Sequence, residues 1–342
     1  MATLTIKPKQ VTKRLLSALP DRAREVLIHR YGLGKETTPT TLEAIGKMYG
    51  ITRERVRQIE NYALATIRKS DAFDTEQEAF VELQKHIDDM GAIVPEEEFL
   101  QTIARDTSTR NHIHFLLVVG DMFEKRREDT EFHHRWYVDK EVANSVQEAL
   151  RKIYDNLSHD DIIAGSELID AFLKEIEHLN EKYKHEQIIK RWLSLSRAIG
   201  KNPLGEWGRT SSPNVRVKGM RDYAYLVIKR HGSPMHFREV AQAITELFNK
   251  KAHEATCHNE LIKDKRFVLV GRGLYALGEW GYANGVVKDV IIDILKKHKS
   301  LSREEIIDLV RKERYVKDNT ILVNLQDSSV FKRGKDGTYS LK

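Results

Sequence analysis

The sequence predicts a mainly α-helical chain: a helix-turn-helix module followed by tandem winged-helix domains with short β-wings. Three observations lead there. Apolar residues recur at helical spacing along much of the 342 residues. Residues 41–59 hold two such runs joined by a glycine turn. Three later segments close alike, with a short apolar strand, a glycine-bearing turn and a second short strand. The expected divisions are residues 1–70 for the helix-turn-helix, 71–140 and 141–210 for two winged-helix-like domains, 217–281 for a winged helix-turn-helix, and 286–342 for a last winged-helix-like domain.

In the first division Leu15, Leu16 and Leu19 lead into Pro20 and Asp21, a helix break and restart. Val26, Leu27 and Tyr31 then recur at helical spacing until Gly32 and Gly34 stop the helix. Residues 37–41, with Pro39, read as a loop, and Thr41 caps a helix that turns Leu42 and Ile45 inward. Gly46 allows close helix approach, and Gly50 supplies a left-handed turn. The next helix opens at Thr52 and turns Val56 and Ile59 inward, leaving Thr52, Arg53, Glu54, Arg57 and Gln58 outside. Arginine pairs bidentately with guanine, glutamine with adenine, and glutamate accepts from cytosine, so this face reads as base-reading. A salt-bridged solvent helix would explain the Arg and Glu content but not the glycine turn and apolar pattern around it. Arg22, Arg30 and Arg55 are candidates for phosphate contact.

The wing-like endings fall at 196–208, 266–281 and 330–341, and Gly-Glu-Trp-Gly occurs at both 205–208 and 278–281, which suggests an internal repeat. A weaker copy fits 75–140, with helices over 80–90, 95–104 and 111–123 and a strand over 132–138. Arg266, Arg272, Lys332, Arg333 and Lys335 sit in the wings and are further candidates for backbone contact. Residues 210–214, with Pro213 among small polar side chains, read as a linker.

Charge is unevenly spread. The formal total of +6 divides into +8 over residues 1–70, −10 over 71–216 and +8 over 217–342. Basic ends suit a polyanion; an acidic middle repels phosphate and suits protein docking. The one cysteine, Cys257, excludes an internal disulfide framework. No apolar run approaches the ~20 residues of a membrane span and no leader is recognisable, so the expected setting is cytoplasmic and nucleoid-associated, without a membrane partner.

The stretches Leu19-Pro20-Asp21-Arg22, Arg30-Tyr31-Gly32-Leu33, Thr41-Leu42-Glu43-Ala44-Ile45-Gly46 and Thr52-Arg53-Glu54-Arg55-Val56-Arg57-Gln58-Ile59-Glu60 closely resemble region 4 of bacterial primary-type sigma factors. The resemblance covers residues 14–69. It implies recognition of the promoter −35 element through Arg53, Glu54, Arg57 and Gln58, and docking on the flap of the RNA polymerase β subunit. Tyr62 stands where that family carries a basic residue that activators touch. Only 14 or so residues precede the match, so a −10 melting domain is expected to be missing. Residues 219–281 resemble the HARE-type helix-turn-helix seen in the δ subunit of bacterial RNA polymerase, through Ala224-Tyr225-Leu226-Val227-Ile228, Gly232-Ser233-Pro234-Met235-His236-Phe237-Arg238-Glu239-Val240, and Arg266-Phe267 to Gly273-Leu274-Tyr275-Ala276-Leu277. That family implies nucleic-acid or polymerase contact rather than a reaction.

Signs of catalysis are few. His253, Cys257 and His258 share a predicted helix but lack a further metal ligand, and His133-His134 beside Trp136 reads as a strand edge. Gly271-Arg272-Gly273 is a wing turn without the Lys-Ser/Thr of a phosphate loop. No lysine has Asp or Glu two residues before it, which argues against a restriction-type nuclease. The expectation is therefore no enzyme, no metal, no cofactor and no small-molecule substrate. The expected function is a bacterial transcription factor that binds double-stranded promoter DNA and acts with RNA polymerase. The alternative is a polymerase-associated scaffold or sigma antagonist that occupies the β flap without reading DNA.

Overall fold

The computed structural model describes residues 4–282, 287–334 and 336–342. The chain packs as two units, Met1–Gly200 with Trp207–Thr210 and Lys201–Glu206 with Ser211–Lys342. It is mainly helical, with small antiparallel sheets and winged-helix-like elements set among the helices.

The first unit opens with α1 (Pro8–Leu16), α2 (Asp21–Tyr31), α3 (Leu42–Tyr49) and α4 (Arg53–Arg68). Pro8 suits the start of α1, where its missing N–H costs nothing, and Gly32 closes α2 in the left-handed region at φ 61°. Next come α5 (Asp71–Thr75), α6 (Gln77–Asp89), β1 (Ile93–Pro95), α7 (Glu96–Ile103), α8 (Thr107–Val119), β2 (Glu124–Arg126) and β3 (Arg135–Tyr137). The three strands form one sheet in the order β1-β3-β2. The unit closes with α9 (Lys140–Asn156), α10 (Gly165–Glu175), α11 (Glu186–Leu193) and the hairpin β4 (Ile199–Lys201) with β5 (Trp207–Arg209). Ile163 bridges to Trp207, which puts an extended residue beside β5 where β1 lies beside β3.

The expected boundary at residue 70 is not a packing boundary. Leu15, Leu27, Tyr31, Ala63 and Ile67 belong to the same buried cluster as Phe73, Phe80, Leu83, Phe115 and Leu116. Helix α8 lies within it: the Phe115 ring meets Tyr31 edge-on at 5.4 Å. Polar ties reinforce the seam. The Asn111 amide donates to the carbonyls of Gly32 at 3.0 Å and Thr37 at 2.6 Å. Arg68, ending α4, donates to the carbonyls of Val119 at 2.9 Å and Val118 at 2.8 Å, satisfying the open end of α8. Arg14 pairs with Glu76 through two guanidinium nitrogens. A second buried cluster, around Trp192, Phe172, Phe132 and Tyr183, holds α9 to α11 together.

Two histidines on α8 make this unit sensitive to acid. Burial pushes His112 and His114 below the usual imidazole value of 6.5. Between those lowered values and 6.5 the unfolded chain binds more protons than the folded one, so stability present at neutral pH is lost as pH falls below 6.5. The half-buried Glu96, held low against its own desolvation by His114 and Lys125, extends the loss below pH 4.5. Thermal melts should therefore show the melting temperature falling from pH 7.5 to 5, as the unfolding free energy drops by at most about 1.4 kcal/mol per pH unit for each histidine. His112→Leu should flatten that slope.

The second unit contains α12 (Met220–His231), β6 (Met235–His236), α13 (Phe237–Phe248), α14 (Glu254–Lys263), β7 (Phe267–Gly271) and β8 (Leu274–Leu277). It continues with α15 (Val287–His298), β9 (Ser300–Leu301), α16 (Arg303–Glu313), α17 (Asp318–Leu325), β10 (Phe331–Arg333) and β11 (Tyr339–Leu341). The sheet orders are β6-β8-β7 and β10-β11-β9, so in each the strand after the first helix pairs with the last strand. The two segments touch through the Tyr315 N–H, which donates to the Val270 carbonyl at 3.0 Å.

Two sequence expectations are corrected here. Residues 210–214 are not a free linker throughout: Ser212 and Asn214 are buried, and the Asn214 side chain accepts from Arg266 at 3.3 Å. The two Gly-Glu-Trp-Gly stretches are not structural equivalents. Trp207 lies buried inside β5, whereas Trp280 ends a 3-10 turn that follows β8.

Candidate nucleic-acid interface

The helix pair α3 and α4 is built on a core of Val26, Ile45 and Val56, with Leu42, Tyr49, Ile51 and Ile59 packed against it. A Cβ on Gly46 would stand 2.6 Å from the Ile51 carbonyl oxygen, so only glycine permits this helix approach. Gly50 turns the chain at φ 63°, the left-handed region its position requires. Two threonines start the two helices alike. Thr41 Oγ1 accepts from the Ala44 N–H and Thr52 Oγ1 from the Arg55 N–H, both at 3.2 Å.

Thr52, Arg53, Glu54, Arg55, Arg57 and Gln58 are all exposed, while Val56 is fully buried and Glu60 faces inward. The predicted reading residues are thus brought together on the first two turns of α4. They are not independent of one another. Arg57 donates to both carboxylate oxygens of Glu54, Nε at 2.9 Å and Nη2 at 2.7 Å, and Arg55 donates to Gln58 Oε1 at 3.0 Å. The Arg57 hydrogen bonds hold the Glu54 carboxyl below the usual carboxylate range and keep the Arg57 guanidinium charged. Thr52 spends an oxygen lone pair on the cap and keeps its O–H to donate.

The candidate phosphate contacts divide. Arg22 is exposed, with its guanidinium 5.8 Å from the Tyr49 ring. Arg30 is tied inward: it donates to the Thr40 carbonyl at 3.2 Å and pairs with Glu60 at 3.4 Å, which also accepts from Tyr31 at 2.9 Å. Arg272 is exposed in the turn between β7 and β8, and Lys332 and Arg333 are exposed on β10. Lys335 lies outside the described residues.

Arg266 is a correction. Its guanidinium donates to Asp222 at 2.8 Å and Asp264 at 2.7 Å as well as to Asn214, and Asp222 is almost wholly buried. A cation held by two carboxylates inside the fold has little left for phosphate. Its place beside a wing in the sequence did not show Asp222, 44 residues earlier. Asn111 on α8 and Arg68 on α4, which tie the helix-turn-helix segment to α8, were missed for the same reason.

The histidine and cysteine candidates do not assemble. Cys257 is buried with its thiol pushed up to about 12, and His258 stacks on Phe237 at 4.4 Å. Among the described residues no group of three or more His, Cys, Asp or Glu is placed to hold a metal ion. No helix among them is long and apolar enough to cross a membrane.

Residues 15–69 match the family described as Sigma-70, region 4. Over 56 residues the chain is 54% identical to the RNA polymerase sigma factor RpoS of Coxiella burnetii (strain RSA 493 / Nine Mile phase I), an alignment covering 16% of this chain and 16% of that protein. The N-terminal segment is therefore a region 4-like segment related to that sigma factor. The chain spans about a sixth of its relative, and the match says nothing of residues 70–342.

Proposed function

We propose that the chain binds double-stranded promoter-type DNA through the exposed first turns of α4, and that it acts with RNA polymerase in transcription initiation without catalysing a reaction. The observation that carries this is the cluster of Arg53, Glu54, Arg57 and Gln58 on one exposed helix face, over a core that fixes its angle to α3. The likeness of residues 15–69 to sigma region 4 supports a −35-type site and contact with the polymerase β flap. The helix–strand–helix–helix–hairpin order of the later segments supports a reading as tandem winged helices, with residues 217–281 of HARE type. Arg272, Lys332 and Arg333 then add weak, salt-sensitive backbone contact.

The test is selection of a preferred duplex from a random pool, followed by binding of variants to it. Arg57→Ala should cost about 1–3 kcal/mol on that duplex and relax the preference at one position, because it removes a base-edge pairing. Equal weakening on every duplex would mean that Arg57 meets only phosphate.

One observation favours a second reading, a polymerase-bound scaffold or sigma antagonist that reads no DNA. Glu54 and Arg57 satisfy each other, so base reading must first open that pair. Sequence-independent duplex binding together with co-purification of RNA polymerase would select this reading.

A further inference from the structure

The order helix, strand, helix, helix, hairpin recurs along the chain. It runs from α6 to β3, from α12 to β8 and from α15 to β11, and from α9 to β5 with the extended Ile163 in place of the first strand. Helices α8, α11, α14 and α17 are therefore counterparts, and they differ in what they leave to solvent. In α8 only Thr107 is exposed. In α11 Ile188, Ile189, Trp192 and Leu193 are buried, and the exposed Glu186 and Lys190 pair with each other. The start of α14 exposes a carboxylate, Glu254, held by Arg238 at 3.1 Å. Helix α17 sends Ile321 and Leu325 into a core with Ile291, Ile306, Val310 and Phe331. Its exposed residues are Asn319, Thr320, Val323 and, at its C-cap, Gln326, none of them charged. Offsets of one, four and seven residues gather these four on an arc of about 120°.

We propose that α17 is a second reading helix, which recognises A·T base pairs in the major groove of double-stranded DNA. The amides of Asn319 and Gln326 can pair bidentately with adenine N6 and N7, and the methyl groups of Thr320 and Val323 can meet the thymine methyl. Val323 is 65% exposed, which an apolar contact of that kind would cover. The face carries no arginine, the usual partner of guanine. Eight residues make a helix about 12 Å long, which matches the groove's width. The surroundings complement phosphate. Lys312 and Lys317 before the helix and Lys332 and Arg333 on β10 after it are exposed, and Asp318 in its first turn is held by Arg311 at 2.8 Å. Those charges supply affinity without sequence; the four uncharged side chains supply the preference. A single valine among three polar side chains is a poor protein-docking patch but suits a groove in which methyl groups alternate with hydrogen-bonding edges. The inference rests on the backbone contact proposed for Lys332 and Arg333 and adds sequence reading to it, and it does not require α4 to read DNA.

The experiment is selection from a random duplex pool with the full chain carrying Arg53→Ala/Arg57→Ala, which removes reading by α4. An A·T-rich motif should still be enriched. Adding Asn319→Ala/Gln326→Ala should weaken binding to that motif about tenfold or more, since each bidentate pair is worth roughly tenfold in discrimination. Binding to an unrelated duplex should stay as it was, and so should the circular dichroism, because both side chains are exposed. Lys332→Ala/Arg333→Ala should instead weaken every duplex alike and flatten the salt dependence. The same A·T motif should be recovered with α4 intact. Failure of the α4 reading then shows as the lack of any further motif in the parent, and failure of this one as the lack of the A·T motif in the variant. The proposal is overturned if no motif is enriched, or if the Asn319 and Gln326 substitutions leave the enriched motif bound as before. It is equally overturned if those substitutions abolish co-purification of a protein partner while duplex binding is unchanged, which would make the face a protein-docking surface.

Discussion

Phe115→Ala should lower the stability of the first unit by about 3–5 kcal/mol, the usual cost of emptying a buried aromatic site. The loss should extend to the N-terminal helices. Phe115 is fully buried, contacts Tyr31 and shares a cluster with Leu27, Ala63 and Ile67. Hydrogen exchange would check this, with faster exchange expected in α2 and α4 as well as in α8. By the same reasoning a fragment of residues 1–70 exposes Leu15, Leu27, Tyr31 and Ile67 and should be unstable or aggregate, whereas residues 1–140 should melt cooperatively. If 1–70 alone keeps the melting temperature of 1–140, the shared core carries no stability.

Arg266→Ala should have the next largest effect. Its guanidinium is the partner of Asp264 and of the nearly buried Asp222, which also accepts from the Lys218 and Gly219 N–H groups at the start of α12. Removing one member of a buried ion pair leaves an uncompensated charge, at a cost of about 3–5 kcal/mol when fully buried. A quarter of the Arg266 side chain remains exposed, so about 2–4 kcal/mol is expected after solvent screening. Urea unfolding of the second unit would measure it. Arg272→Ala should leave that unit's stability within about 0.5 kcal/mol, as surface substitutions do. Equal effects of the two variants would place Arg266 on the surface after all.

The helix-turn-helix was legible because its determinants are local. Thr41, Gly46, Gly50 and Thr52 each act within a few residues of themselves, through caps, a left-handed turn and one close approach. The hairpins at β7–β8 and β10–β11 were legible for the same reason, since a glycine turn and two apolar strands lie side by side in the chain. What stayed hidden depends on distant partners. That Leu27 and Phe115 share a core, or that Arg266 meets Asp222, has no local signature. The three-residue strands β1 and β2 escaped because so short a run carries no period-two pattern. Gly-Glu-Trp-Gly misled in the opposite way: four identical letters took different conformations because their surroundings differ.

If α4 reads DNA as proposed, the paired arrangement of Glu54 and Arg57 has a consequence for time spent on the wrong sequence. Of the charges on the first turns of α4, Arg53, Arg55 and Arg57 are offset by Glu54, leaving two net positive charges where three arginines stand. Release of counterions by so few charges holds a protein on arbitrary duplex only briefly. When no matching base edge is offered, Arg57 has Glu54 to return to, so departure costs little. On the proposed reading, such a helix would search quickly and stay only where the groove offers a better partner than its own carboxylate.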